Sequence, residues 1–330
     1  MTSRLKDQVE KKGPFWVVKR DTHLQQFAID TLRASWKSEK NEYFPGPQPV
    51  SIERKHFHHL KKRYVVCEKS DGVRHVMLVF TFEGTKLSVI INRAMEITMI
   101  PLSLPKNTYL GTVFDGELIN DRLFLIYDAV KVNGEFIGDQ NLIDRLLLAE
   151  PIITGALKLA TNPVVLRMKN FVNLDDLENL QMNQIPMLDY KSDGLIFTPV
   201  NEPVRTGTHE TLFKWKPQEQ NTVDFLARVL PTKWVLYVQE KGQYYIECEL
   251  QFHQAPQWLT DGAIVECQYM FADTPRWWKP IGLRTDKSHP NNRRTYYNTL
   301  TNIKENIQWR EFLTCTSRGS SRLAQAGSQR

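Results

Sequence analysis

Apolar residues first recur at helical spacing near the N-terminus. In "DTHLQQFAIDTLRASWKS", Leu24, Phe27, Ala28, Leu32 and Trp36 share one face, and Thr22 and Gln25 stand at capping-box spacing, which predicts a packed helix. The next stretch, "FPGPQPVSIER" (Phe44 to Arg54), is too rich in Pro and Gly to be regular. It leads into the basic "RKHFHHLKKR", whose histidines lack a metal-ligand pattern and read as a solvated face. From Tyr64 the period shortens. "YVVCEK", "HVMLVFTF", "KLSVII", "TVFDGEL" and "RLFLIYDAV" are short, β-branched or aromatic, and divided by turn residues, so they predict a strongly bent antiparallel sheet system. Helical patterns follow in "NLIDRLLLAE" and around "LDDLENLQMN", before strand signals return in "SDGLIFTPV" and "TLFKWKP". Helices packed on sheets make this an α+β domain.

Beyond Pro217 the pattern restarts. "NTVDFLARVL", "KWVLYVQE", "QYYIECEL", "AIVECQYM" and "RWWKPIGLR" supply the strands of a small OB-type barrel. The expected division is residues 1–217 for the first domain, 218–289 for an OB-fold, and a helix within 290–314 that can pack back on the first domain. Residues 315–330 have too little apolar content to order themselves.

Composition changes this picture little. The chain has 330 residues, 41% of them hydrophobic and 24% charged, which is ordinary for a globular protein. With no apolar run of the roughly 20 residues that cross a bilayer, it reads as soluble and intracellular. Cys67, Cys248, Cys267 and Cys315 show neither zinc nor disulfide spacing and read as reduced, mostly buried thiols. The formal charge is +6, but Arg318, Arg322 and Arg330 in the tail supply three of those charges, so charge alone does not argue for a nucleic-acid partner.

Chemistry enters through a series of charged clusters at strand ends: "EKSDGVR", "INRAM", "FDGEL", "FLIYDAV", "SDGLIF", "FKWKP" and "GLRTDK". No Walker loop, GxGxxG or Gly-x-Ser-x-Gly accompanies them. A lone Lys-x-Asp-Gly is a surface turn, and the paired Glu247 and Glu249 of "YIECEL" are ordinary strand alternation. The ordered set is another matter. "PGPQPVSIER", "KSDGVR", "INRAM", "FDGEL", "YDAV", "SDGLIF", "FKWKP", "NTVDF", "IVEC" and "RTDKSHPN", from Pro45 to Asn291, resemble the GTP:mRNA guanylyltransferases, including the compact form of large DNA viruses. These capping enzymes sit within the covalent nucleotidyltransferase superfamily. The resemblance implies a ligase-type (ATP-grasp-like) nucleotidyltransferase domain of antiparallel sheets with flanking helices, plus a C-terminal OB-fold β-barrel.

It also implies roles. Lys69 becomes a lysyl-N-GMP with loss of pyrophosphate and then passes GMP to a diphosphate-ended RNA. Lysine titrates near ~10.4, so keeping it neutral near pH 7 takes roughly 4 kcal/mol of differential interaction, for which Lys214, Lys216 and a bound cation are the expected source. Lys214 and Lys216 reach the α-phosphate from one strand face, with Trp215 on the opposite side. Arg74 lies near the phosphates or the RNA end, and Arg93 and Glu117 near the ribose. Asn92 departs from the family, which more often has aspartate there. Tyr127 stacks on guanine, and Lys169 donates to its carbonyl, selecting GTP over ATP. Asp193, with Asp115 and Glu117, holds Mg²⁺ or Mn²⁺. Arg284 and Lys287 grip the β- and γ-phosphates when the second domain closes, and Asp224 is an acid at the hinge.

Two rivals stand beside this reading: an ATP-dependent DNA or RNA ligase, and a non-catalytic RNA-binding protein that keeps the fold. The expected partners are a diphosphate-ended RNA, a separate RNA triphosphatase, a cap methyltransferase and an RNA polymerase. No membrane is involved, and the protein is expected to act as a monomer in the nucleus or at a viral replication site in the cytoplasm.

Overall fold

The computed structural model describes residues 2–37, 44–157, 162–271, 277–285 and 287–316. The tail expected to be disordered lies, from residue 317 on, outside the described residues. Two compact units result: Met1–Val50 with His59–Lys214, and Ser51–His58 with Trp215–Arg330.

The first unit is built on a nine-stranded sheet and a five-stranded one. Along the central strand of the larger sheet, Val73–Phe82, both faces are apolar. Val76, Leu78 and Phe80 point to one side, where Leu24, Ala28, Leu32 and Trp36 of the helix His23–Trp36 pack. Met77 and Val79 point to the other, toward Ala149, Ile152 and Ile153 of the helix Leu142–Leu157. Strand alternation therefore buries two cores, each large side chain contributing about 1.5–3 kcal/mol.

Some local expectations shift. Thr22 caps the first long helix by accepting from Gln25 N at 3.2 Å, while the Gln25 side chain accepts from Asp21 N at 2.7 Å, one residue before the expected position. Phe27 reaches the helix edge and stays 36% exposed. The polar leader forms a hairpin, Val9–Lys12 with Phe15–Val18, that extends the large sheet. The Pro-rich stretch is not wholly irregular, because Gln48–Ser51 joins the smaller sheet beside Thr208–Trp215. The segment around "LDDLENLQMN" is a run of short helical turns from Leu174 to Met187.

The segment after residue 164 ties the two sheets together. Val165–Met168 runs parallel to Leu123–Val132 in the large sheet. Val172–Asn173 then pairs antiparallel with Val66 and Val65 of the smaller sheet. Lys169 sits in the step between them.

The second unit carries the five expected strands, Thr222–Val229, Trp234–Glu240, Gln243–Leu250, Ile264–Met270 and Trp277–Leu283. Numbered within the unit their order is 3-2-1-4-5, consistent with an OB-fold. Among the described residues no pairing joins the third strand to the fifth, so a closed barrel, expected from the sequence, is not found. The helix Arg293–Glu305 caps this sheet, sending Tyr296 and Ile303 into its core. Arg54 belongs to the same unit, forking onto Glu311 with Nε and Nη2, both at 3.0 Å.

Candidate active site

Lys69 is the last but one residue of the strand Tyr64–Ser70, and Asp193 the second of the adjacent antiparallel strand Ser192–Pro199. Ser192 pairs with Ser70, and a register shift follows before Leu195. A shift of this kind re-aims side chains, and here Lys69 Nζ meets Asp193 Oδ1 at 2.7 Å. Both side chains keep contact with solvent, at 24% and 21% exposure. The sequence reading gave Lys69 cationic neighbours; the recorded partner is this carboxylate instead. Its neighbour Cys67 is fully buried, and burial pushes that thiol up to about 12, which removes it as a rival nucleophile.

Arg74 is an internal strut. Its Nε and Nη2 reach Asp115 Oδ1 and Oδ2 at 3.1 and 2.6 Å, its Nη1 donates to the Pro47 carbonyl, and its guanidinium lies 5.2 Å from the Phe44 ring and 5.7 Å from the Tyr127 ring. Burial alone would lower its pKa, but the Asp115 carboxylate raises it. The quoted "PGP" explains itself here, since a Cβ on Gly46 would stand 2.5 Å from Arg74 Nη2. Arg74 was read as a phosphate or RNA contact; in this structure three of its five N–H groups bond inside the protein and its guanidinium lies beside the Phe44 and Tyr127 rings.

Arg93 is exposed on the turn after the strand Thr85–Asn92. Asn92 builds that turn: its Oδ1 accepts from Ala94 N and Glu96 N, both at 3.0 Å, and its Nδ2 donates to Glu96 Oε2 at 2.7 Å. The departure from the family's usual aspartate thus has a structural use, because an amide can both accept and donate here. Partial desolvation by the surrounding protein atoms and the neighbouring Arg74 both lower the pKa of Arg93 although the residue as a whole is exposed, a setting that an incoming anion would relieve.

Lys169 is buried, donating from Nζ to Ser70 Oγ at 2.6 Å and facing Glu68 Oε1 at 3.4 Å. Ser70 passes the line on by donating to Glu117. The Lys169 backbone N–H donates to Ile126 O at 2.8 Å, which fixes it beside Tyr127. Burial raises the Tyr127 phenol well above its usual range, so it stays neutral. Glu68 and Tyr190, which donates to Glu68 Oε1 at 2.6 Å, were not foreseen. In the sequence Glu68 is one more charge beside Lys69, and Tyr190 lies 122 residues further on.

The three candidate metal ligands do not converge. Asp115 is taken by Arg74, Glu117 by Ser70 and Asp193 by Lys69, and among the described residues no cluster of three or more His, Cys, Asp or Glu could hold a metal. Asp193 is the acid of the three whose partner is the expected nucleophile.

Lys214 alternates with the buried Phe213 and Trp215 on the strand Thr208–Trp215, as period two requires. Lys216 follows the strand in the second unit, where Trp215 donates from Nε1 to Ile307 O at 2.9 Å. Also in that unit, Asp224 accepts from Arg284 Nη1 at 2.9 and 3.2 Å and from Lys287 Nζ. The expected hinge acid is thus the counter-ion of both expected phosphate grips.

Comparison with known proteins follows this layout. Residues 17–218 match the family described as mRNA capping enzyme, catalytic domain, and residues 220–313 match mRNA capping enzyme, C-terminal domain. The chain is 34% identical over 248 residues to the mRNA-capping enzyme subunit alpha of Yarrowia lipolytica, covering 67% of this chain and 62% of that protein. It is 28% identical over 322 residues to the Schizosaccharomyces pombe subunit alpha, covering 82% of this chain and 79% of that protein. Against the mRNA-capping enzyme of Danio rerio identity is 29% over 294 residues, 80% of this chain but 47% of that protein, so the chain spans about half its length.

Proposed function

The chain belongs to the mRNA capping enzyme family, and on that premise we propose that it is a GTP:mRNA guanylyltransferase working through Lys69. The observation that carries this reading is the Lys69–Asp193 pair at 2.7 Å, held by paired strands with both groups open to solvent. In the first step Lys69 Nζ gives one proton to Asp193 and a second to solvent as it forms a P–N bond to the α-phosphorus of GTP. The bond from that phosphorus to the β-bridging oxygen breaks, and pyrophosphate leaves. In the second step a terminal oxygen of a diphosphate-ended RNA attacks the same phosphorus, the P–N bond breaks, and Lys69 regains both protons.

The remaining residues bind and orient. Tyr127 offers a ring face to guanine and Lys169 an N–H to its carbonyl. Arg93 and Glu117 lie toward the ribose, and Lys214 and Lys216 toward the α-phosphate. Arg284 and Lys287 exchange Asp224 for the β- and γ-phosphates. Mg²⁺ or Mn²⁺ would arrive on the nucleotide, and such a cation needs only one or two protein carboxylates, a demand Asp193 fits. A separate RNA triphosphatase, a cap methyltransferase and a polymerase complete the proposed setting, in the nucleus or at a viral replication site.

Incubation with α-labelled GTP or ATP and a divalent cation, followed by denaturation, tests this reading. Label from GTP that disappears in Lys69→Ala supports it. Label from ATP alone would make the protein a ligase, and no label from either would make it a binder.

A further inference from the structure

On the face of the nucleophile's strand turned away from Lys69 runs a line of polar groups that the transfer chemistry does not explain. Glu68 and Ser70 flank Lys69 and, by strand alternation, point opposite to it. Tyr190 Oη donates to Glu68 Oε1 at 2.6 Å, and Lys169 Nζ stands 3.4 Å from that same oxygen. Lys169 also donates to Ser70 Oγ at 2.6 Å. Lys169 and Glu68 are only 3% and 2% exposed, where a charge is tolerated only with partners.

Counting donors makes the arrangement informative. An ammonium carries three N–H groups. Ser70 accepts one, Glu68 faces a second, and the third has no acceptor among the described residues. The separation from Glu68 is long for a direct hydrogen bond, and the tyrosine hydroxyl that claims the same oxygen explains why. With Tyr190 in place the carboxylate is drawn away from Lys169. The ammonium therefore does not collapse onto it, and the Lys169 backbone is pinned next to Tyr127 in the strand by the bond from its own N–H to Ile126 O.

We propose that Glu68 and Tyr190 are positioning residues for base choice, holding Lys169 so that its remaining N–H meets a carbonyl, and not an amino group, on the edge of a purine stacked on Tyr127. This rests on the guanylyltransferase reading. Guanine and hypoxanthine present an acceptor at that edge, whereas adenine presents a donor that an ammonium repels. Loss of the tyrosine hydroxyl lets Glu68 close on Lys169 and turns the free N–H away from the base.

The test compares initial rates of lysyl-nucleotide formation from α-labelled GTP, ITP and ATP, with a melting curve for every variant. ITP keeps the carbonyl and lacks the 2-amino group, so the wild type should accept GTP and ITP and reject ATP. Tyr190→Phe should raise KM for GTP and ITP alike by about tenfold, leave kcat within about threefold, and shrink the GTP-over-ATP preference by about tenfold. Glu68→Gln should move the same quantities further, and Glu68→Asp should restore part of the preference. Should Glu68→Gln fail to fold, Tyr190→Phe carries the test alone. A Tyr190→Phe enzyme that labels from GTP with its preference over ATP unchanged overturns the inference and leaves the function standing. A wild type that forms no adduct from GTP overturns both.

Discussion

Lys69 and Asp193 face each other across two antiparallel strands, Nζ to Oδ1 at 2.7 Å, with a register shift directly after Asp193 setting its aim. If Asp193 takes the lysine proton, Asp193→Asn should fold normally yet slow adduct formation. The expected loss is about 10²–10⁴-fold in single-turnover rate, the usual range for a positioned proton acceptor. Quenched-flow labelling with GTP measures it, and a rate within a factor of a few of wild type would remove Asp193 from that role.

Asp115 is fully buried and serves as the counter-ion of Arg74. Asp115→Ala leaves a guanidinium desolvated and unpaired, which should cost about 3–5 kcal/mol. Urea unfolding monitored by fluorescence reads this. Arg74→Lys should also be destabilising, because an ammonium cannot fork onto Asp115, reach the Pro47 carbonyl and lie against two rings at once.

Arg284 and Lys287 share Asp224, which is buried in the second unit. Replacing either with Ala leaves the other cation in place and should cost about 1 kcal/mol, whereas the double replacement strands the carboxylate and should cost about 3–5 kcal/mol. A double-mutant cycle by thermal melting checks the non-additivity. Each single replacement should still slow adduct formation by more than about tenfold if these cations also hold the leaving phosphates.

His75 and His209 both have pKa values lowered from 6.5, chiefly by burial. Below about 6.5 the unfolded chain takes up protons on these rings that the folded chain refuses. Stability is therefore fully present above that pH and falls as the solution is acidified toward the lowered folded values. Glu202 adds to the trend at lower pH, because His209 and Thr211 hold its carboxyl below the usual value against the opposing effect of burial. Melting temperatures at pH 7.5 and 5.5 should show the drop, and His75→Gln should make it smaller.

What the sequence disclosed and what it hid divide by the range of the interaction. The alternation of Phe213, Lys214 and Trp215 was legible because a strand's period is local, and so were the five strands of the second unit. Lys69 and Asp193 were each picked out through a whole set of motifs, but their pairing with one another was not, since 124 residues separate them. Nothing in "FDGEL" reveals that Asp115 pairs with Arg74. Glu68 and Tyr190 carried no signal at all, as a buried carboxylate and its hydroxyl partner are ordinary residues until the fold brings them together. The strand Gln48–Ser51 was masked by its prolines, which an edge strand tolerates where a central one does not.

The step from Val165–Met168 to Val172–Asn173 has a mechanical meaning. One end is stitched to the strand bearing Tyr127, the other to Val65 and Val66, a few residues upstream of Lys69. The position of Lys169 therefore depends on both sheets of the first unit at once, since each end of its short segment is paired to a different one.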